Sequence, residues 1–277
     1  MAKTVGFYGN FNLNLQRLSR ALACIQESPT LNQKTLANCM GVNQPVAAGF
    51  SHWLRHTGLV SRSEVALASQ GSRSYELTSV GALIAEHDPA LADLGTQWLL
   101  HYYLATEQEE RSEAWLVLFN QFLSPGMTFS SAEYQAYFAN VMGDGVSNRS
   151  AVKKDPISAL FTYTNRKSLT DLALLTKQKK VYVVGKPHYP DSLVIGFMLF
   201  DWWKRQYDYS NTLRFSQLCE EEESLGRLCV ATPSQVRRFV VQLTGLGYLT
   251  FSETQHEPVN RLYEDEPYLL LKRYYER

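Results

Sequence analysis

The feature that most constrains this fold is a punctuated run of helix signals between Asn14 and His87. Leu15, Leu18, Leu22 and Ile25 recur at three- and four-residue intervals, which predicts an amphipathic helix over Asn14–Gln26. Leu36 and Met40 mark a second helix over Asn32–Met40, and Gly41 stops it, as glycine does where a helix closes in a left-handed residue. Asn43 can cap a third helix that accepts Pro45 in its first turn and ends at Gly58. That helix sets Val46, Phe50, Trp53 and Leu54 on one side. Gln44, Ala48, Ser51, His52 and Arg55 fall on the other, the side expected to face solvent. Two short strands, Glu64–Ala68 and Arg73–Leu77, flank the glycine-containing loop Ser69–Ser72, and Thr78 caps a further helix. Helix, helix–turn–helix, hairpin, helix is the order of a winged helix, which presents its third helix and hairpin tip to nucleic acid.

Beyond His87 the pattern stays helical. Residues 91–105, 112–123 and 131–142 repeat aromatic and aliphatic side chains at helical spacing, so most of them are read as core. Lys153–Thr176 is expected as a helix with a basic exterior, followed by a strand at 181–185. Helices at 192–207, 215–226 and 234–247, a strand at 248–253 and a closing helix suggest a second, divergent copy of the first pattern. The expected fold is mainly α with small β-wings: two winged-helix-like modules, 1–87 and 191–277, joined by a helical middle region, 88–190.

A net charge of zero hides strong segregation. Residues 1–86 carry 7 Lys/Arg against 4 Asp/Glu, and 87–145 carry 1 against 8. Residues 146–190 carry 9 against 2, and 191–277 carry 10 against 13. A field can therefore focus locally although the total is nil. Met1–Phe11 has neither a basic flank nor an apolar run, so no secretory signal is expected. The longest apolar stretch, Ser192–Trp203, contains Asp201 and is too short to span a bilayer. Cys24, Cys39, Cys219 and Cys229 form no C-x-x-C pair and are read as reduced packing residues, with the cytoplasm as the expected compartment.

Three surfaces are candidates for double-stranded DNA. Gln44, Ser51, His52, Arg55 and the wing residue Arg73 offer groups that read base edges or grip phosphate. Ser234, Gln235, Arg237 and Arg238 form a second set, with Glu220–Glu223 upstream either repelling a backbone or pairing with the arginines. The third is the basic run of Arg149, Lys153, Lys154, Arg166, Lys167, Lys177, Lys179 and Lys180. His52 and His56 have zinc-chelating spacing but no partner acid, and His101 is read as a hydrogen-bonded buried histidine. Phosphate-loop, dinucleotide, nucleophile-elbow and zincin motifs are absent.

"GVNQPVAAGFSHWLRHTGL", "LTSVGALI", "DPALADLGTQWLLHYYL", "LFNQF", "SLGRLCVATPSQVRRFVVQL" and "PYLLLKRYY" stand in an order and spacing that resemble a bacterial family of uncharacterised domains. That family is encoded beside PAPS-reductase-like sulfur genes, and one branch resembles the B component of the Ssp DNA-phosphorothioation systems. The resemblance spans Phe7–Tyr275 and rests on collinearity rather than on a catalytic motif. It implies a DNA-binding role in phosphorothioation or phage defence, with one strand nicked before sulfur insertion. A cysteine desulfurase, an ATP-pyrophosphatase-type sulfur transferase and an ATPase are the implied partners. The chain departs from the pattern in having Asn10 and Phe11 where members carry a His-Glu pair, and in its few bases on the third helix. A metal-dependent nickase needs carboxylates for Mg²⁺ or Mn²⁺ beside a phosphate, and Asp155 with Asp171 is the acid pair set among bases. Asp155 before Pro156 also reads as a helix cap. A winged-helix transcriptional regulator and a non-catalytic protein-interaction adaptor remain as alternatives. A homodimer is compatible with the pattern, although no heptads enforce one.

Overall fold

A computed structural model describes residues 5–9, 11–28, 31–62, 75–108, 111–143, 146, 148–208 and 210–277 of the chain. The fold is mainly α with small antiparallel β wings. It begins with α1 (Leu15–Glu27), α2 (Gln33–Met40), α3 (Gln44–His56), β1 (Val60–Arg62), β2 (Tyr75–Leu77) and α4 (Ser79–His87). Local chemistry sets these boundaries. Asn14, Asn32, Asn43 and Thr78 each accept a hydrogen bond from the amide three residues on, satisfying a donor that the first turn leaves free. Strands β1 and β2 pair with Val60 opposite Leu77 and Arg62 opposite Tyr75. The expected strand Glu64–Ala68, the loop Ser69–Ser72 and Arg73 lie outside the described residues.

The middle of the chain holds α5 (Leu94–Ala105), α6 (Glu113–Val117), a π-helical turn (Leu118–Phe122), β3 (Thr128–Ser130), α7 (Ser131–Met142) and α8 (Arg149–Thr164). A 3₁₀ turn (Leu169–Leu172), β4 (Leu175–Gln178) and β5 (Val181–Val184) follow, and the strands form one sheet in the order β3–β5–β4. The helix expected over Lys153–Thr176 is thus corrected. It starts earlier, because Asn148 caps it by accepting from the Ala151 amide, and it stops at Asn165, whose side chain takes the Lys167 amide into a turn.

The last part runs through α9 (Ser192–Tyr207), β6 (Thr212–Arg214), α10 (Phe215–Glu220), α11 (Leu225–Leu228), α12 (Pro233–Gly245), β7 (Leu249–Phe251), β8 (Pro258–Arg261) and α13 (Tyr268–Tyr275), with sheet order β6–β8–β7. One expected helix over 215–226 is two. The break holds Glu223 at φ 62°, where its amide donates to Asn120 Oδ1 (2.6 Å) and its carboxylate takes Arg205 (2.7 Å) and the Glu107 amide. Trp53, Trp98, Trp115, Trp202 and Trp203 are fully buried in a core continuous from Phe7 to Leu271. The far end is fastened to the start of α5, where Tyr274 donates to Asp93 (2.7 Å) and the Tyr275 hydroxyl meets that of Thr96 (2.6 Å). Among the described residues no helix is long and apolar enough to cross a membrane.

Two of the cysteines correct the expectation of four thiols. Cys24 on α1 and Cys39 on α2 form a disulfide across 6.1 Å between Cα atoms, while Cys219 and Cys229 are free. The packing of α1 on α2 brings the pair together, and no local sequence pattern announces it. The cysteine argument for a reducing compartment therefore falls away. Replacing Cys24 and Cys39 by Ala is expected to lower unfolding free energy by about 2–3 kcal/mol, the entropy of a loop of this size. Urea denaturation with and without reductant reads this, and an unchanged midpoint would contradict the pairing.

Candidate nucleic-acid interface

Only the first turn of α3 reaches solvent freely. Gln44 and Pro45 are exposed and His52 is half-buried, but Ser51 and Arg55 are only 1% and 8% exposed. This corrects the solvent face expected for Ser51 and Arg55. A second layer covers the helix. Trp53 Nε1 donates to the Phe11 carbonyl (2.7 Å), and Phe7 stacks on His56 with 3.6 Å between ring centroids. Trp115 of α6 meets Trp53 edge-on, and His56 Nδ1 shares a hydrogen bond with Ser112 (2.9 Å). Gly49 marks the closest crossing, because a Cβ there would stand 2.8 Å from the Phe11 ring. Ser51 donates to the Ala48 carbonyl (2.8 Å), and Arg55 hydrogen-bonds the His52 ring. His52 and His56 thus have separate partners. His101 is buried as expected, between the Tyr163 hydroxyl (2.8 Å) and the Leu228 carbonyl (3.0 Å), and burial pushes its imidazole down to about 4.

Asp155 lies inside α8 and is 2% exposed, which corrects the helix-cap reading. Its Oδ2 accepts from the Gly6 amide (2.8 Å) and its Oδ1 from the Tyr8 hydroxyl (3.0 Å). Burial pushes the carboxyl up to about 6, against the opposing pull of those two hydrogen bonds. Asp171 is exposed on the 3₁₀ turn, with its carbonyl accepting from His188 Nδ1 (2.9 Å). Both oxygens of Asp155 are engaged, and no group of three His, Cys, Asp or Glu converges among the described residues. Asp155 and Asp171 therefore do not make, with the other described residues, a donor set that fits Mg²⁺ or Mn²⁺.

The C-terminal candidates divide. Arg237 pairs with Glu253 (3.1 Å) and Glu257 (2.5 Å) and lies over the rings of Phe215 and Phe251. Gln235 Oε1 accepts from the Thr232 amide (2.8 Å) and hydroxyl (3.0 Å), closing the cap of α12. Both groups are therefore committed within the fold. Ser234 and Arg238 are exposed.

The basic run is the most open of the three sets. Arg149, Lys153 and Lys154 are exposed on α8, Arg166 and Lys167 in the turn after it, and Lys177, Lys179 and Lys180 on the β4–β5 hairpin. Lys186, which the sequence reading passed over, is exposed just beyond. Arg149 and Lys153 stand four apart, on one side of the helix. Residues 146–190 thus show solvent nine positive side chains and one acid, Asp171, because Asp155 is sealed inside. The hairpin itself was missed; two lysines between alternating residues were its signal.

The folded state prefers the protonated Asp155 carboxyl, so the contribution of this group to stability falls as pH rises from about 4 to about 6 and is level above. Asp155→Asn removes that dependence, and its stability relative to the wild type is expected to rise by roughly 1–3 kcal/mol across the window. Urea denaturation at both ends of the window reads the difference, and a constant offset would contradict it.

Two solved structures share this architecture. A magnesium ion-bound SspB crystal structure is 15% identical with a TM-score of 0.83, covering 99% of this chain and 88% of that one. A further SspB crystal structure has a TM-score of 0.84 at the same identity and coverage. At that identity the likeness establishes the fold. No protein of curated function matches the chain. The model of the family described as "Protein of unknown function (DUF4007)" matches residues 9–275, and the chain belongs to that family.

Proposed function

We propose that this protein is the duplex-DNA-binding component of a DNA-phosphorothioation or related defence system, and that it holds DNA on the basic surface of 146–190. The observation that carries the reading is the exposure of nine bases against one acid over residues 146–190, on α8, the turn after it, the β4–β5 hairpin and the residues just beyond. Such a surface exchanges condensed counterions for lysine and arginine contacts, a sequence-independent source of affinity. The shared fold with SspB and the sequence resemblance to the B component supply the system, with sulfur-transfer and ATPase proteins as partners. Gln44, Ser234 and Arg238 are exposed polar groups that can add contacts.

Nicking is the finer part of the reading. One SspB structure is magnesium ion-bound, but Asp155 and Asp171 assemble no metal site here, so no step is routed through them. The proposal stops at binding. An operator-reading regulator draws no support from α3, whose middle is covered.

Anisotropy titrations of a labelled duplex at several salt concentrations test the proposal. Each phosphate contact contributes about 0.9 to the log–log salt slope, so Lys153→Ala with Lys179→Ala and Lys180→Ala is expected to lower the slope by roughly 2–3. Unchanged slope and affinity would remove the surface from consideration, and salt-independent or absent binding would favour the adaptor. Incubation of supercoiled plasmid with Mg²⁺ or Mn²⁺ decides nicking separately.

A further inference from the structure

Helix α9 forms one wall of an open cleft of about 570 Å³, with other walls from the start of α4, from α5 and from the approach to α13. Through Lys204, Asp208 and Glu266 it continues into a second hollow of about 250 Å³. The charges in this two-lobed groove do not balance. Lys204 is taken up by Glu266 (2.8 Å), and Arg205 by Asp201 (2.9 Å) and Glu223 (2.7 Å). Arg261, in the second hollow, donates to Asn211 (3.3 Å) and to the Asp208 carbonyl (3.5 Å) and lies over the Trp203 ring, a cation paired with no carboxylate among the described residues and outnumbered by the two that follow. The carboxylates of Asp208 and Glu264 make no hydrogen bond or ion pair among the described residues.

Tyr103, half-buried, adds a hydroxyl donor to the same cleft. Its ring sits so closely on Gly58 that a Cβ there would collide with it. Its hydroxyl feels Asp201 and Arg205 across the cleft but has no hydrogen-bond partner among the described residues. Burial and the Asp201 charge hold this phenol above its ordinary range, so it remains a donor. Phe197 and Tyr268 add ring surface to the same cleft.

We propose that this groove receives the arginine or lysine side chains of an extended basic segment on a partner protein. A cationic head would pair with Asp208 or Glu264, its methylene stem would lie along Phe197 and Tyr268, and Tyr103 would donate to a carbonyl of the segment. The open, two-lobed shape suits successive side chains of a chain better than one enclosed small molecule. Unpaired carboxylates repel phosphate, so the groove and the basic surface of 146–190 select different partners.

The test uses the full-length protein and a fluorescein-labelled peptide of alternating Arg and Ala, with a Glu-for-Arg peptide as control. The wild type is expected to bind the Arg peptide alone. Asp208→Asn with Glu264→Gln should weaken it about tenfold and Tyr103→Phe several-fold, while Glu27→Lys, on α1, leaves it unchanged. Duplex affinity should be the same in all of them, so a failure of DNA binding and a failure of this groove are told apart. Equal peptide binding by the Asn/Gln variant overturns the proposal, as does equal loss in Glu27→Lys. Self-association at low salt that the Asn/Gln variant abolishes, without peptide binding, would make the occupant a second copy and also overturn it.

Discussion

A carboxyl sealed inside a protein needs donors on its oxygens, because an ionised group left bare there costs several kcal/mol. Asp155 takes both donors from one short segment, the Gly6 amide and the Tyr8 hydroxyl. Much else hangs on that seating. It brings Phe7 onto His56 and lays Phe11 across Gly49, and it puts Asn12 beside Ser158 (2.8 Å) and the Leu15 amide on the Lys167 carbonyl (2.8 Å). The middle of α3 is therefore dry on a side that its own residues would leave wet. Helix α8, with its acid turned inward, shows only bases from its charged positions.

Much of the fold was legible in the sequence because its signals are local. Asn14, Asn32, Asn43 and Thr78 cap the helices they were expected to open, and Ser192–Tyr207 is helical over the range its apolar pattern marked. What was not legible depends on distant segments. The strands β3, β4 and β6 are three or four residues long and exist through pairing with β5 and β8. The disulfide depends on how α1 meets α2. The same holds for the interface: helical periodicity finds the core side of α3 but cannot reveal that Phe7 and Phe11 cover another side. Exposure of Lys153, Lys154, Lys179 and Lys180 was easier to foresee, since lysine is rarely buried without a partner.

Fold alone leaves open what a protein binds. Here the distinguishing information lies in where charge reaches the surface. Arg237 and Gln235 look as suitable for phosphate as any lysine on α8, but one is held between two glutamates and the other closes a helix cap. A basic residue counts towards a nucleic-acid surface only when the protein has not already used it. In exposure 146–190 stands apart, with nine bases and one acid turned to solvent.

The anchoring of Tyr274 and Tyr275 on α5 has a bearing on how the molecule comes apart. With Tyr8 fixed to α8, the first and last described segments are each held by side-chain hydrogen bonds against central helices. The Asp93 oxygen that accepts from the Tyr274 hydroxyl is the one that caps α5, so a disturbance of α13 is passed straight to the first turn of a buried helix.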